Sequence, residues 1–255
     1  MEFGICDLKM VKRYTKWIIL LSLFLSFLTM LYFFSVPDLS KLKKENPQKT
    51  ALMEYREKKW KEKGKKVRVN QNWVPFSNIS PYLIKAVLIA EDDKFWNHEG
   101  FDYEAIQKAI EKDIKAGRFK FGGSTISQQL ARNLYLSPAK TPLRKMREAI
   151  ITWRMEKVLS KRRILELYLN LVEWGEGIFG VEAASRHYYG KPSSELTPQE
   201  AARLAAVLPN PRKYNPAGDQ RYIVNRSNLI YSIMIQRGIV IPEYKEATET
   251  NEILK

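Results

Sequence analysis

The sequence predicts a mainly α-helical protein that carries one transmembrane helix near its N-terminus. Several segments repeat apolar residues at helical spacing and begin behind residues that cap helices. No long alternating pattern of the β type appears in the sequence. A charge-free run over residues 17–36 is long enough to cross a bilayer core as a helix.

The amino-acid composition indicates what kind of partner the protein binds. The chain has 255 residues, 45% of them hydrophobic, and a formal net charge of +15. This charge indicates an anionic partner, such as nucleic acid, anionic lipid or a phosphate-bearing substrate. Cys6 is the single cysteine, and His98 and His187 are the two histidines. An intramolecular disulfide is therefore excluded, and a metal site rich in cysteine or histidine is disfavoured.

The N-terminal region is predicted to anchor the protein in a membrane. Residues 1–16 form a short basic head, which favours an N-terminus inside the cell. A cleaved signal peptide is the alternative, but its apolar part would be shorter and no small-x-small cleavage site follows the run. Residues 37–70 are rich in lysine and glutamate and are predicted to be a solvated basic linker. The folded domain is predicted over residues 71–240, and a C-terminal tail over residues 241–255.

Glu91 is the first candidate for chemistry. Ser80-Pro81 is predicted to cap a helix that ends at Glu91, and Asp102 is predicted to cap the next helix, which Gly117 ends. The predicted inner face of that second helix consists of Ala105, Ile106, Ala109, Ile110 and Ile114. A partly desolvated carboxylate between two such helices has a raised pKa and can act as a general base. The alternative is a surface cluster of acids, although acids at a helix C-terminus oppose the helix dipole.

Two further polar regions suit an anion. Gly122 and Gly123 precede a helix capped by Ser124 or Thr125, and a glycine-rich turn into a helix N-terminus binds anions readily. Phe119 and Phe121, which alternate with basic residues before this turn, indicate a core strand, a nucleic-acid patch or a lipid contact. Thr141-Pro142 then begins a helix that carries Arg144, Lys145 and Glu148 on one face. An exposed ion pair is one interpretation of that face, and a phosphate site is the other, because a forked arginine beside a lysine matches phosphate oxygens.

The rest of the chain is predicted to be mostly helical. Ser160 is predicted to cap a largely buried helix over residues 161–170, and Thr197 opens a capping box before an alanine-rich helix. A final helix is predicted over residues 221–236. Gly175, Gly177 and Gly180 make a loop that either approaches a ligand or simply turns tightly.

Five motifs occur in order along the chain. They are Glu91-Asp-x-x-Phe95-x-x-His98-x-Gly100-x-Asp102; Gly122-Gly-Ser-Thr-Ile-Ser-Gln-Gln129 with Arg132-Asn133; Arg144-Lys-x-x-Glu148; Ile164-Leu-Glu-x-Tyr-Leu-Asn170 with Tyr188-Tyr-Gly-Lys191; and Leu196-x-x-x-Glu200 with Pro211-x-x-Tyr-x-Pro216. Together they resemble the motifs of the bacterial peptidoglycan glycosyltransferases, over about residues 75–237. The resemblance implies a lysozyme-like large lobe and a small membrane-associated jaw lobe. Because the chain ends at Lys255, the monofunctional form of the family is expected.

The resemblance also implies a reaction and residues for it. Such enzymes polymerise lipid II into β-1,4-linked glycan strands and release undecaprenyl diphosphate at the outer face of the cytoplasmic (inner) membrane, in cell-wall synthesis. Glu91 is then the general base, and Glu148 assists departure of the diphosphate, directly or through a divalent cation such as Mg²⁺ or Mn²⁺. The residues implied to bind substrate are His98, Ser124, Thr125, Gln128, Gln129, Arg132, Asn133, Arg144, Lys145, Tyr168 and Asn170.

Partners and alternatives follow from the same residues. The expected partners are lipid II, the undecaprenyl-diphosphate-linked strand, membrane lipids and other cell-wall synthesis proteins, and no nucleic acid is expected.

Three alternative functions compete with this one. A lysozyme-like hydrolase would also use Glu91 with a second carboxylate, but has little need for a basic phosphate site. A nucleic-acid binder explains the charge but not the membrane span. A purely structural anchor needs none of these polar groups.

Overall fold

A computed structural model describes residues 3–117, 123–139 and 141–240, and it confirms the mainly α-helical class. Phe119, Phe121 and Gly122 and the predicted tail over 241–255 lie outside the described residues. The helices are α1 Phe3–Phe34, α2 Ala51–Glu62, α3 Pro81–Glu91, α4 Tyr103–Ala116, α5 Ile126–Tyr135, α6 Pro142–Val158, α7 Lys161–Leu171, α8 Val181–Tyr189, α9 Pro198–Val207 and α10 Arg221–Gln236. Three short strands, β1 Asn70–Gln71, β2 Glu173–Gly175 and β3 Ile178–Phe179, form one sheet.

Helix α1 contains the candidate membrane span. Its segment Lys12–Tyr32 is long and apolar enough to cross a membrane, and none of it is buried against the rest of the protein. The folded domain contacts the end of this helix through Arg147 of α6. The Arg147 guanidinium donates to the carbonyl oxygens of Tyr32 and Ser35, each at 3.0 Å, and lies 4.2 Å from the centroid of the Tyr32 ring. Arg147 of α6 thereby satisfies one of the last carbonyls of α1, that of Tyr32, and the carbonyl of Ser35 just beyond the helix.

Helix α2 departs from the prediction of a solvated linker over residues 37–70. Thr50 caps the helix by accepting from the Met53 amide at 3.2 Å. Met53 and Trp60 are fully or almost fully buried, and α2 packs against α5. This buried face was not recognisable from the sequence. The segment is rich in lysine and glutamate, and the few apolar residues that form the face are spread over two to three helical turns.

The core is built mainly from α3, α9 and α10 on one side and from α5, α6 and α7 on the other. Leu83 and Val87 of α3 are fully buried, and each such side chain contributes roughly 1.5–3 kcal/mol of burial free energy. Buried alanines on α9 allow the backbones to approach closely. Ser80 precedes α3 as predicted, but its hydroxyl does not cap the helix. It donates instead to the Leu196 carbonyl oxygen at 3.0 Å and ties α3 to the segment before α9.

The glycine-rich loop after α7 is a β-hairpin. Strand β3 pairs antiparallel with β2 and parallel with β1. Gly177 lies in the turn with φ of +81°, and a Cβ there would sit 2.8 Å from the Arg68 carbonyl oxygen. Only glycine therefore fits this position. Strands of two or three residues are too short to leave an alternating pattern in the sequence.

Helix α4 forms as predicted, but its apolar face is not buried in the core. Asp102 caps the helix by accepting from the Ala105 amide at 2.9 Å, and Gly117 ends it with φ of +60°. Ile110 is 52% exposed and Ile114 is 71% exposed, which corrects the predicted inner face. The helical period was recognisable from the sequence, but the period does not reveal what covers the apolar side.

Candidate active site

Glu91 lies at the C-terminal end of α3 with its side chain only 11% exposed. Its Oε2 accepts a hydrogen bond from Gln129 Nε2 at 2.8 Å. The Oε1 atom of Gln129 in turn accepts from the Tyr168 hydroxyl at 3.1 Å. Burial raises the pKa of Glu91, and the Gln129 hydrogen bond and nearby arginines offset only part of that rise. The three side chains bring α3, α5 and α7 together around a carboxylate that is suited to take up a proton.

Arg226 is a site residue that the sequence did not reveal. It lies on α10, where its Nη2 donates to the Ala90 carbonyl oxygen at 3.1 Å and sits 3.7 Å from Glu91 Oε1. A single arginine on a half-buried helix carries no local signal, because its partner is determined by how α10 packs on α3.

Asp92 and His98 support the segment that follows Glu91. Asp92 Oδ2 accepts from the Ile126 amide at 2.9 Å, and Asp92 Oδ1 is 2.8 Å from His98 Nε2. His98 Nδ1 accepts from the Gly100 amide at 3.1 Å, so the ring proton is on Nε2 and is donated to Asp92. Both nitrogens of His98, which was predicted to bind substrate, are thus engaged within the protein. The N-terminus of α5, which was predicted to bind an anion, thus receives the Asp92 carboxylate.

Replacing Asp92 by asparagine is expected to lower the free energy of unfolding by about 1–3 kcal/mol. The asparagine amide would have to face either the Ile126 amide or the His98 ring N–H, and each of these is a donor. Chemical denaturation of the purified protein measures the loss. Asp93→Asn is the matched control, because Asp93 forms a half-exposed pair with Arg237, and such pairs contribute roughly 0–1 kcal/mol. Equal stabilities of the two variants would contradict the assignment.

Thr125, Gln128 and Asn170 were also predicted to bind substrate, and all three are buried with their polar groups bonded to protein. Thr125 and Gln128 form a capping box at the start of α5, and the Thr125 hydroxyl donates to the Gly100 carbonyl oxygen at 2.7 Å. The Asn170 amide accepts from the Val74 amide at 2.9 Å and donates to the carbonyl oxygens of Val74 and Glu166. Their geometry is that of supports for the site.

Glu148 is fully buried in α6 and pairs with two cations. Its Oε2 accepts from Arg144 Nη1 and its Oε1 accepts from Lys145 Nζ. The Arg144 side chain is 15% exposed, whereas that of Lys145 is 47% exposed and also reaches Ser124 Oγ at 3.3 Å. The interpretation of this face as an exposed ion pair is therefore wrong. Two cations held by a buried carboxylate form a fixed positive site.

A cleft of about 400 Å³ connects the surroundings of Glu91 with those of Glu148, because its walls include both Gln129, the partner of Glu91, and Arg144, a partner of Glu148. The cleft is also lined by Arg132 and Asn133. The side chains of Arg132 and Asn133 form no hydrogen bond or ion pair with the part of the chain that the structure describes. The wall also contains Arg56, which pairs with Glu173 at 2.7 Å, a contact that sequence patterns could not reveal. The cleft thus presents several arginines, and its charge suits a diphosphate.

The fold and this arrangement favour a membrane-associated group-transfer enzyme whose leaving group is anionic. Comparison with known proteins then gives the family. The family model described as "Transglycosylase" matches residues 57–235, and this chain belongs to the transglycosylase family. The resemblance to the peptidoglycan glycosyltransferases and the predicted enzyme class are confirmed.

Curated relatives agree with this family over most of their length. A biosynthetic peptidoglycan transglycosylase of Azoarcus sp. (strain BH72) is 57% identical over 169 residues, which are 66% of this chain and 73% of the relative. One of Nitrosospira multiformis is 50% identical over 194 residues, 76% of this chain and 84% of the relative. One of Janthinobacterium sp. (strain Marseille) is 44% identical over 223 residues, 88% of this chain and 96% of the relative.

Proposed function

We propose that this enzyme polymerises lipid II into β-1,4-linked glycan strands and releases undecaprenyl diphosphate, with Glu91 as the general base. The observation that carries the proposal is the buried Glu91 carboxylate, joined through Gln129 to a basic cleft. Glu91 takes the proton of the acceptor sugar hydroxyl while that oxygen forms a bond to the donor anomeric carbon. The bond from that carbon to the diphosphate breaks, and its electron pair leaves with the diphosphate.

The leaving group is stabilised by the cations of the cleft. Arg132 and Arg144 line the cleft, and Lys145 lies beside Arg144 on α6. Preorganised positive charge favours the transition state because negative charge develops on the diphosphate as the bond breaks. Glu148 acts through these side chains: it is buried, contacts Arg144 and Lys145, and holds them in place. We assign Glu148 the role of a positioning residue.

The donor set around Glu148 does not fit a protein-held divalent cation. Both of its carboxylate oxygens are occupied by cationic side chains. Across residues 3–117, 123–139 and 141–240, no group of three or more His, Cys, Asp or Glu side chains could hold a metal ion. We therefore assign Glu148 no part as a metal ligand.

The test of this function is a reaction with labelled lipid II. Incubating the purified full chain with it is expected to yield a polymer that a muramidase then digests. Absence of polymer, or a polymer resistant to the muramidase, would overturn the proposal.

Membrane lipids are the second partner that the surface supports. Exposed apolar side chains occur on α4 and α6; they are Tyr103, Ile110, Ile114, Leu143, Met146 and Trp153. Helix α6 also contacts the end of α1 through Arg147, so its exposed apolar residues lie next to the candidate span. We infer that α1 crosses the cytoplasmic membrane with the N-terminus inside, and that the catalytic domain rests on the outer face.

The proposed topology predicts which cysteines a membrane-impermeant thiol reagent can label. Cys6 should react only after spheroplasts are permeabilised, because it precedes the span. A Ser194→Cys variant that also carries Cys6→Ser should react in intact spheroplasts, since Ser194 is an exposed residue of the catalytic domain. Labelling of Cys6 in intact spheroplasts, with protection of the cysteine at 194, would reverse the orientation.

A further inference from the structure

We propose that Arg226 is a positioning residue for the base: it holds the end of α3 and keeps Oε1 of Glu91 anionic and ready to accept the proton. This inference rests on the proposed function, because it assumes that Glu91 is the base. One nitrogen of Arg226, Nη2, contacts both the carbonyl oxygen of Ala90 at 3.1 Å and Oε1 of Glu91 at 3.7 Å. The contact fixes the backbone immediately before the base and places a positive charge beside its carboxylate.

The two oxygens of Glu91 are not equivalent. Oε2 accepts a hydrogen bond of 2.8 Å from Gln129. Oε1 lies 3.7 Å from Arg226, which is within the range of an ion pair but too long for a hydrogen bond. Arg226 therefore favours the charged form of the carboxylate without occupying a lone pair of Oε1. The geometry points to Oε1 as the atom that takes the proton.

Charged and titratable groups face Glu91 from several neighbouring elements. Asp92 follows it directly after the end of α3, and the others are Arg132 on α5, Tyr168 on α7, and Tyr222 and Arg226 on α10. Burial raises the pKa of Glu91, Asp92 adds to that rise, and Arg226 and Arg132 oppose it. Tyr168 is protonated, because burial raises its pKa well above its usual value. Loss of Arg226 should therefore raise the pKa of Glu91 further.

A purely structural tie between α10 and α3 is the alternative. A tie to the backbone alone would need only the contact with the Ala90 carbonyl oxygen. The same Nη2 atom also lies 3.7 Å from Glu91 Oε1, so the side chain places its charge at the base as well.

The test compares the pH dependence of kcat/KM for lipid II polymerisation in the full chain and its variants. Glu91 is active as a base only when deprotonated, so activity falls as pH drops through its pKa. In Arg226→Gln the acid limb should move to higher pH, so the rate at a fixed pH on that limb should fall by roughly tenfold. The rate at alkaline pH should approach that of the wild type. Arg226→Lys should restore most of the acid limb, because it keeps the charge.

Arg237→Gln is the matched control. It removes the same charge just after α10, where Arg237 pairs with the half-exposed Asp93, and it should leave the acid limb in place. Each profile is normalised to its own alkaline plateau, so a smaller folded fraction does not imitate a shift. A uniform loss at every pH without movement of the acid limb in Arg226→Gln would overturn the proposal. Wild-type activity in Glu91→Gln would instead overturn the proposed function.

Discussion

Replacing Glu91 by glutamine is expected to lower the rate of polymerisation by about 10²- to 10⁴-fold, the usual effect of losing a general base. The amide has nearly the same shape as the carboxylate and can still accept from Gln129 through its oxygen, so the fold should persist. It cannot take a proton from the acceptor hydroxyl. Initial rates with lipid II, measured beside the melting temperature, separate the loss of chemistry from the loss of folded protein.

Glu99→Gln provides the control for this substitution. Glu99 lies in the segment that connects α3 to α4, just after Glu91, but its side chain is 80% exposed and pairs with Lys157 on the surface. It should retain near wild-type turnover and stability. Near wild-type turnover in Glu91→Gln itself would remove Glu91 from the reaction.

Replacing Arg144 by alanine is expected to remove roughly 2–4 kcal/mol of transition-state stabilisation, similar to the loss of one strong oxyanion donor. Glu148 is fully buried, and among the described residues it would keep Lys145 alone as a cationic partner. The melting temperature should therefore fall as well. Arg144→Lys should recover part of both losses, since lysine keeps the charge but not the fork.

Arg154→Ala removes a positive charge from the same helix, outside the cleft around Arg144, and serves as the control. It should leave the polymerisation rate close to that of the wild type. Full activity in Arg144→Ala would contradict the proposed diphosphate site and leave Arg132 and Lys145 as its remaining candidates. The initial polymerisation rate and the melting temperature are measured on the same preparation of each variant.

Local signals explain why the helices could be predicted. Thr141 and Thr197 each cap the helix that the sequence assigned to them, and Thr125 rather than Ser124 caps α5. These caps were predictable because a cap depends only on residues within one turn. The ordered motifs gave the family for a similar reason, since their spacing is contained in the chain itself. Short strands and the buried face of α2 carry weaker local patterns and were missed.

Long-range packing explains what the sequence did not reveal at the site. Arg226 meets Glu91, and Arg56 meets Glu173, only because distant helices and a hairpin come together. The burial of Glu148 likewise depends on the elements packed over α6. The resemblance implied that His98 binds substrate, but its two hydrogen bonds to Asp92 and Gly100 appear only in the folded chain.

The central claim is that Glu91 activates a sugar hydroxyl, rather than water, against a diphosphate held in the basic cleft. The most direct measurement counts undecaprenyl diphosphate released and glycan linkages formed in one reaction of the full chain with labelled lipid II. Equal amounts of the two products are predicted, with both lost together in Glu91→Gln. Release of lipid diphosphate without new linkages would mean that water is the acceptor and would contradict the claim.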